Sequence, residues 1–543
     1  MGKASKDTTE GVDEISVARS NTKAQKALFA AVEEPHGKEE NDDTHTICKP
    51  LNILFESTKN RRFDSLIPGI SLKQQQFMLL ETIQIFNKGH ARRFFQGLKV
   101  LIQSIVEDES YVPESAFQDE GNDDERGDDI VENTDIVPDD RSTEHLHFLK
   151  HATMCVEAYL QGQKDRLNKR RASISRSPTL PIVSEVYNVA LDLHNILFSL
   201  QACGPEGLVT QNAIIKMCES WWHANAIQRD NLIVQCLPLL VLQTLDGKNF
   251  QKSHIKRLLN LKEALQIIDF NNPSSDSLRS LLLRVASNPL CLRMPEGRSF
   301  LAALFQEPSL IRDLHLAVRA QIPEARGTIL KAYGEIYLKA WKDSENTDAG
   351  DVDVRDAIEH EAIQDLVHSV IHVSSSATAK SILALLEPFH ATKTPEIDGL
   401  LYRMYSPIIW RSLGATSAQV RVNAVNALGQ VFPLQDASHT QTKAAISKGT
   451  LALKSALQDT DPRVRVAGSA ATARICGMFW DVLPVTDIRM LLNRKFQLRS
   501  TSPRFFESVS HFLFFSSIYF QTLSWSMHQT QALQQFVLEP SKR

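Results

Sequence analysis

The chain has 543 residues, with 60 Lys and Arg against 64 Asp and Glu, 43% hydrophobic and 23% charged residues. That length exceeds what a single compact core accommodates, and the composition is that of ordinary globular protein, which excludes a chain disordered throughout. The net charge of −4 and pI near 6.5 leave no global basic field, so any nucleic-acid contact must come from a local patch.

In chain order, residues 1–50 are polar and poor in aromatics, and are expected to be disordered because they bury too little apolar area to offset ordering entropy. Residues 51–106 turn helical: Phe77, Leu80, Ile83 and Ile85, then Phe94, Leu98, Leu101, Ile102 and Ile105, recur at roughly helical spacing. Residues 107–145 form an acidic segment, expected as an extended, disordered loop because Asp119, Glu120, Asp123, Asp124, Glu125, Asp128 and Asp129 repel one another. A helix is expected over 146–162, then a basic Ser/Pro linker over 163–181. That linker carries Ser173 after Arg170-Arg171 and Ser177 before Pro178, both candidate phosphorylation sites, and its basic cluster also suits a nuclear import signal. Residues 182–494 read as helix after helix, without a period-2 strand. The tail, 495–543, is rich in aromatics, and 508–538 holds no charged residue. Its uninterrupted apolar part falls short of the roughly 20 residues a membrane span needs, so it reads as a divergent end with no further repeat to stack on.

The architecture follows from a repeat. The stretches beginning at Leu413 and Leu457 align without gaps, 44 residues apart. A period of about 40–47 with two helices per unit is the HEAT/armadillo signature. Asp461-Pro462 is a strong helix start. Beyond it Val464, Ala467, Ala471, Ile475 and Met478 share one helical face, as Val420, Ala424, Ala427 and Val431 do in the earlier copy. Looser copies begin at Asp276 and Pro323. One helix pair cannot bury its apolar face alone, so the predicted fold is an all-α solenoid of HEAT/armadillo-type repeats.

Chemical motifs are few. No Gly-x-Gly, phosphate-binding loop or nucleophile elbow occurs, so no catalytic residue and no cofactor is expected. The seven cysteines are scattered and none forms Cys-x-x-Cys, which fits a reducing compartment. Residues 1–11 are too polar for a secretory signal, and Lys6 stands where a myristoylation motif needs Ser or Thr, so an intracellular chain without membrane attachment is expected. His368 and His372, near Asp365, and His147 and His151 have spacings that can bind zinc, but further ligands are missing and surface histidines are the simpler reading. Trp221-Trp222 reads as core before groove. Arg421 and Arg465 begin the second helix of each repeat, where they bond turn carbonyls or an acidic side chain of a neighbouring repeat, with Asp459 in the same structural set; ligand contact is the alternative. Arg463 lacks such a role and is a candidate for a partner or phosphate. Lys248, Lys252 and Lys256 recur every four residues beside Arg257, making a basic stripe if helical: a solvated face or a DNA contact.

Several motifs resemble the G-type HEAT subunits of condensin II. They are Cys218-Glu-Ser-Trp221-Trp222, Ile255-Lys256-Arg257-Leu258, Ile268-Asp269-Phe270, Leu281-Leu-Leu-Arg284, Glu296-Gly297-Arg-Ser-Phe300-Leu301, Tyr333-Gly-Glu-Ile-Tyr337-Leu-Lys-Ala-Trp341, Met404-Tyr-Ser-Pro407-Ile-Ile-Trp410-Arg411-Ser-Leu413 and Val431-Phe-Pro433-Leu434. The resemblance covers about 181–493, and more weakly 51–106. It implies a non-catalytic, nuclear, chromosome-bound subunit of a hetero-oligomer. Its implied partners are a kleisin, two SMC-family ATPases, a second HEAT subunit and DNA. Family members continue in further helical repeats where this chain has its tail, which implies a truncated or alternatively spliced form. The repeat alone would equally suit a transport or phosphatase scaffold.

Overall fold

The computed structural model describes residues 72–112, 140–170, 179–247, 250–346, 354–434 and 442–499. The expected disordered segment 1–50, most of the acidic loop, Ser173, Ser177, Lys248 and the tail beyond Arg499 lie outside them. The described residues are helical throughout and contain no strand, only an isolated bridge between Leu180 and Ala226. The chain divides into two compact units, Met1–Leu239 and Leu240–Arg543.

In the first unit, α1 (Leu72–Gln84), α3 (Asp140–Arg170) and α5 (Gly204–His223) pack in one row, and α2 (Lys88–Glu107) packs on α4 (Ser184–Asn195). Phe95, Ile102, Leu149, Val156 and Tyr159 are among its buried residues. The short α6 (Arg229–Ile233) follows, and Trp221 and Trp222 are buried, with the Arg229 guanidinium 4.0 Å above the Trp222 ring.

Helix α3 is longer than the hydrophobic pattern over 146–162 indicates, starting at Asp140 and ending at Arg170. Its extra turns use the charge runs assigned to loop and linker. Glu144 lies toward the positive end of the helix dipole, and Lys164, Arg166 and Lys169 toward the negative end. Arg166 is itself structural: it donates to Phe86 O (2.8 Å) and Gln84 O (3.4 Å), carbonyls at and just past the end of α1. At Gly162 a Cβ would lie 2.0 Å from Gln84 O, so only glycine allows α3 this close to α1.

α7 (Cys236–Leu245) leads into the second unit. There the helices are α8 (Lys252–Asn260), α9 (Asp276–Ala286), α10 (Pro289–Arg293), α11 (Pro295–Leu304), α12 (Pro308–Gln321), α13 (Gly327–Asp343), α14 (Val354–Ala357), a π-helical turn (Ile358–Ile363), α15 (Gln364–His372), α16 (Ser376–Ala391), α17 (Pro395–Ser412), α18 (Ala418–Val431), α19 (Thr442–Leu457), α20 (Pro462–Phe479) and α21 (Val485–Arg499). One row of packing runs α8, α11, α13, α16, α18, α20. Beside it, α9 packs on α12, α12 on the π turn, α15 on α17, and α19 on α21. Each helix thus buries its apolar stripe against its row neighbour and its paired helix, which is how helical repeats share one continuous core. Gly334 marks the tightest approach of α13 to α16, where a Cβ would sit 2.0 Å from Leu385 O. Helical order continues past residue 494, the expected end of the stack, because α21 extends to Arg499.

Cys155, Cys203, Cys218, Cys236, Cys291 and Cys476 are buried thiols outside any disulfide. Burial pushes the Cys155 thiol up to about 12 and those of Cys203 and Cys291 up to about 11. No described helix is long and apolar enough to cross a membrane.

Candidate partner and nucleic-acid interface

The repeat is visible atom by atom. Arg421 Nη1 donates to Ala415 O (2.8 Å) and Thr416 O (3.0 Å). Forty-four residues on, Arg465 Nη1 donates to Asp459 O (2.9 Å) and Thr460 O (3.0 Å). Each arginine closes the turn leading into its own helix. Arg421 also forks onto Asp459 of the next repeat, Nε to Oδ2 at 2.7 Å and Nη2 to Oδ1 at 2.8 Å. Both side chains are mostly buried, 14% and 13% exposed. The Arg421 hydrogen bonds hold the Asp459 carboxyl below its ordinary range. Arg279 does a comparable job upstream, joining α9 to α12 through Ser309 O (3.2 Å) and Asp313 (2.6 Å).

Of the basic stripe, Lys252, Lys256 and Arg257 are described. Gln251 is extended (φ −125°, ψ 144°) and α8 begins at Lys252. Ile255 and Leu258 are the buried side of α8, and Lys252 and Lys256 are exposed. Lys252 Nζ lies 3.0 Å from Glu296 on α11, and Lys256 adds positive potential there; the Glu296 carboxyl is held down, first by its own backbone N–H and then by Lys252. Arg257 is half-buried and reaches Gln243 at 3.5 Å. Arg463, on α20, folds back on the N-cap residue Asp461, with Nε–Oδ1 at 3.2 Å and Nη2–Oδ2 at 2.9 Å. That contact, with the Arg463 backbone N–H, lowers the Asp461 carboxyl to about 2. The structure does not bring Arg463 together with the lysines: α8 packs on α11, α20 on α18 and α19.

Two polar nodes escaped the sequence reading. At the π turn, Glu359 is buried and accepts from Trp341 Nε1 (2.8 Å) and, through both oxygens, from Arg403 Nη2 (2.8 Å each). Arg355 stacks its guanidinium 4.0 Å above the Trp341 ring. Beside this node lies a cleft of about 340 Å³ bordered by Asp356, His360, Met404 and Pro407. Pro407 sits within α17 and lacks an N–H, so it cannot donate to the Arg403 carbonyl one turn back. In the second node, buried His315 meets Tyr337 Oη (2.9 Å) and Asp365 (3.0 Å), and Arg319 also pairs with Asp365. Burial keeps the His315 imidazole below its ordinary pKa despite that carboxylate. Asp365 therefore serves His315 and Arg319, while the exposed His368 and His372 rings stack on each other, 4.4 Å between centroids. Neither node had a sequence signal beyond an acid amid apolar helical positions, because the partners come from distant helices.

Residues 284–436, which include the Glu359 node, match the family model described as "Condensin II non structural maintenance of chromosomes subunit". Condensin-2 complex subunit G2 of Mus musculus is 27% identical over 300 residues, 54% of this chain and 25% of that protein. Over more than half of its length the chain is similar to condensin-2 complex subunit G2. The Xenopus laevis protein is 28% identical over 331 residues (59% of this chain, 28% of that one), and the Homo sapiens protein 28% over 318 (57% and 27%). The match thus spans about a quarter of the length of these curated relatives. Among solved structures, Kap95p with RanGDP aligns at 10% identity over 97% of this chain and 64% of that one, TM-score 0.27. The UNC-45 chaperone aligns at 11% over 94% and 56%, TM-score 0.22. Superpositions this loose carry no argument.

Proposed function

We propose that this chain is a non-catalytic HEAT-repeat scaffold of the condensin II complex. In this reading it holds the kleisin and contacts chromatin DNA, working with two SMC ATPases and a second HEAT subunit on chromosomes in the nucleus, in support of mitotic condensation and segregation. The observation that carries the reading is the similarity to subunit G2, together with the family-model match over 284–436 in the paired, stacked helices of the second unit. A stack of this kind offers long surfaces suited to an extended peptide, and exposed lysines such as Lys252 and Lys256 suit phosphates.

The test is to tag the chain, purify it from dividing cells at moderate salt and identify what accompanies it. Co-purification of a kleisin and SMC ATPases is the expected result. Import cargo or a phosphatase subunit without kleisin would replace the reading with that of another scaffold. For DNA, Lys252→Glu with Lys256→Glu should weaken binding and flatten its salt dependence by about 0.9 in log–log slope for each phosphate no longer neutralised. An unchanged slope removes α8 from the DNA surface.

A further inference from the structure

The second helices of the stack cover one another in order, and α18 lies under α20. The Arg421–Asp459 fork fastens that cover, one rung of a ladder between repeats. Val422, Asn426 and Gln430 of α18 are accordingly half-buried, whereas their counterparts 44 residues on, Val466, Ala470 and Arg474 of α20, are exposed. Large apolar side chains in solvent gather at this end: Val466 is 54% exposed and Met478 53%, and past the end of α20 come Val482 at 56% and Val485 at 58%. Exposed apolar side chains gathered in one place mark an interaction surface.

Charge decides what fits it. Arg463 and Asp481 bracket the row, 18 residues or five helical turns apart, so they share one line along the helix. Trp480, which caps α20, keeps helical dihedrals (φ −52°, ψ −44°) and carries that line to Asp481. Asp481 is exposed and pairs with no cation among the described residues. Arg463 is 62% exposed and uses Nε and Nη2 on Asp461, leaving Nη1 without a partner among the described residues. The row is its own complement. Turned end for end about a two-fold axis between Ala470 and Arg474, it brings Arg463 level with Asp481 of a second copy and Val466 level with Met478. The long Arg474 side chain comes level with the small Ala470. Each contact is then made twice, as in any isologous interface.

We propose that the outer row of α20 is a docking surface for a second copy of this chain, paired antiparallel with an Arg463–Asp481 contact at each end. The pairing uses neither kleisin nor DNA and does not depend on the scaffold reading. It gives the chain a means of linking two assemblies.

Sedimentation equilibrium of the full chain at low salt, up to about 100 µM, tests it, because a face of one helix row predicts a weak, salt-sensitive dimer. Arg463→Asp should raise the dimer dissociation constant at least about tenfold, since the reversal sets acid against acid at both ends. Adding Asp481→Arg should return it to within about threefold of the parent value. Val466→Glu, which touches neither charge nor cap, should weaken the dimer by about tenfold as well. A chain that stays monomeric overturns the proposal. So does a dimer that ignores Arg463→Asp or Val466→Glu, or one that the double reversal fails to restore.

Discussion

Two carboxylates of the second unit, Glu359 and Glu296, meet cations from other helices and differ in kind. Glu359 has a side chain only 4% exposed, fixed by an indole N–H and a guanidinium, with a second guanidinium 3.9 Å away. Glu296 shares a more open site with Lys252, whose side chain is 57% exposed. A buried carboxylate needs every partner, since desolvation must be offset by charge and hydrogen bonds together. An exposed pair contributes little to folding, so its lysine remains available to a ligand. Net charge does not separate the two sites; burial does.

The strongest way to break that contrast is Glu359→Ala, which strands the buried Trp341 N–H and unpairs Arg403. It should cost about 3 kcal/mol in urea unfolding, whereas Glu359→Gln, which keeps an acceptor, should recover about half of that loss. Next comes Arg421→Ala, which removes two turn bonds and the fork to Asp459; about 2 kcal/mol is expected. A loss below about 0.5 kcal/mol would show that the ladder does not hold the repeats together.

The same fork sets an acid dependence. The Asp459 carboxyl lies below its ordinary 3.8 in the folded chain, so its contribution is complete above that value and fades as pH falls toward and through the folded one. Arg421→Ala should therefore flatten the stability–pH curve below about pH 4; an unaltered slope places the acid sensitivity elsewhere. The smallest effect belongs to the surface pair: Lys252→Glu with Lys256→Glu should move unfolding by no more than about 0.5 kcal/mol. A larger change would make those lysines part of the fold.

What could be read in advance was periodic. The 44-residue spacing, the Asp461-Pro462 start and the small residues Ala424, Ala427, Gly468 and Ala471 announce stacked helix pairs. The turn roles of Arg421 and Arg465 follow from their place in the repeat. α3 extends beyond the apolar pattern for a simple reason: charged residues such as Glu144, Lys164 and Lys169 look like loop and linker until a helix gives each its preferred end of the dipole. The Glu359 node was hidden because Trp341, Glu359 and Arg403 stand far apart in the chain.

The six sealed cysteines turn the molecule into its own unfolding recorder. A thiol sealed among packed side chains is out of a reagent's reach, so a maleimide can attack these six only after the surrounding helices part. Cys155, Cys203, Cys218 and Cys236 lie in the first unit and Cys291 and Cys476 in the second. The order in which peptides acquire the label would show which end of the chain loosens first, without a single substitution.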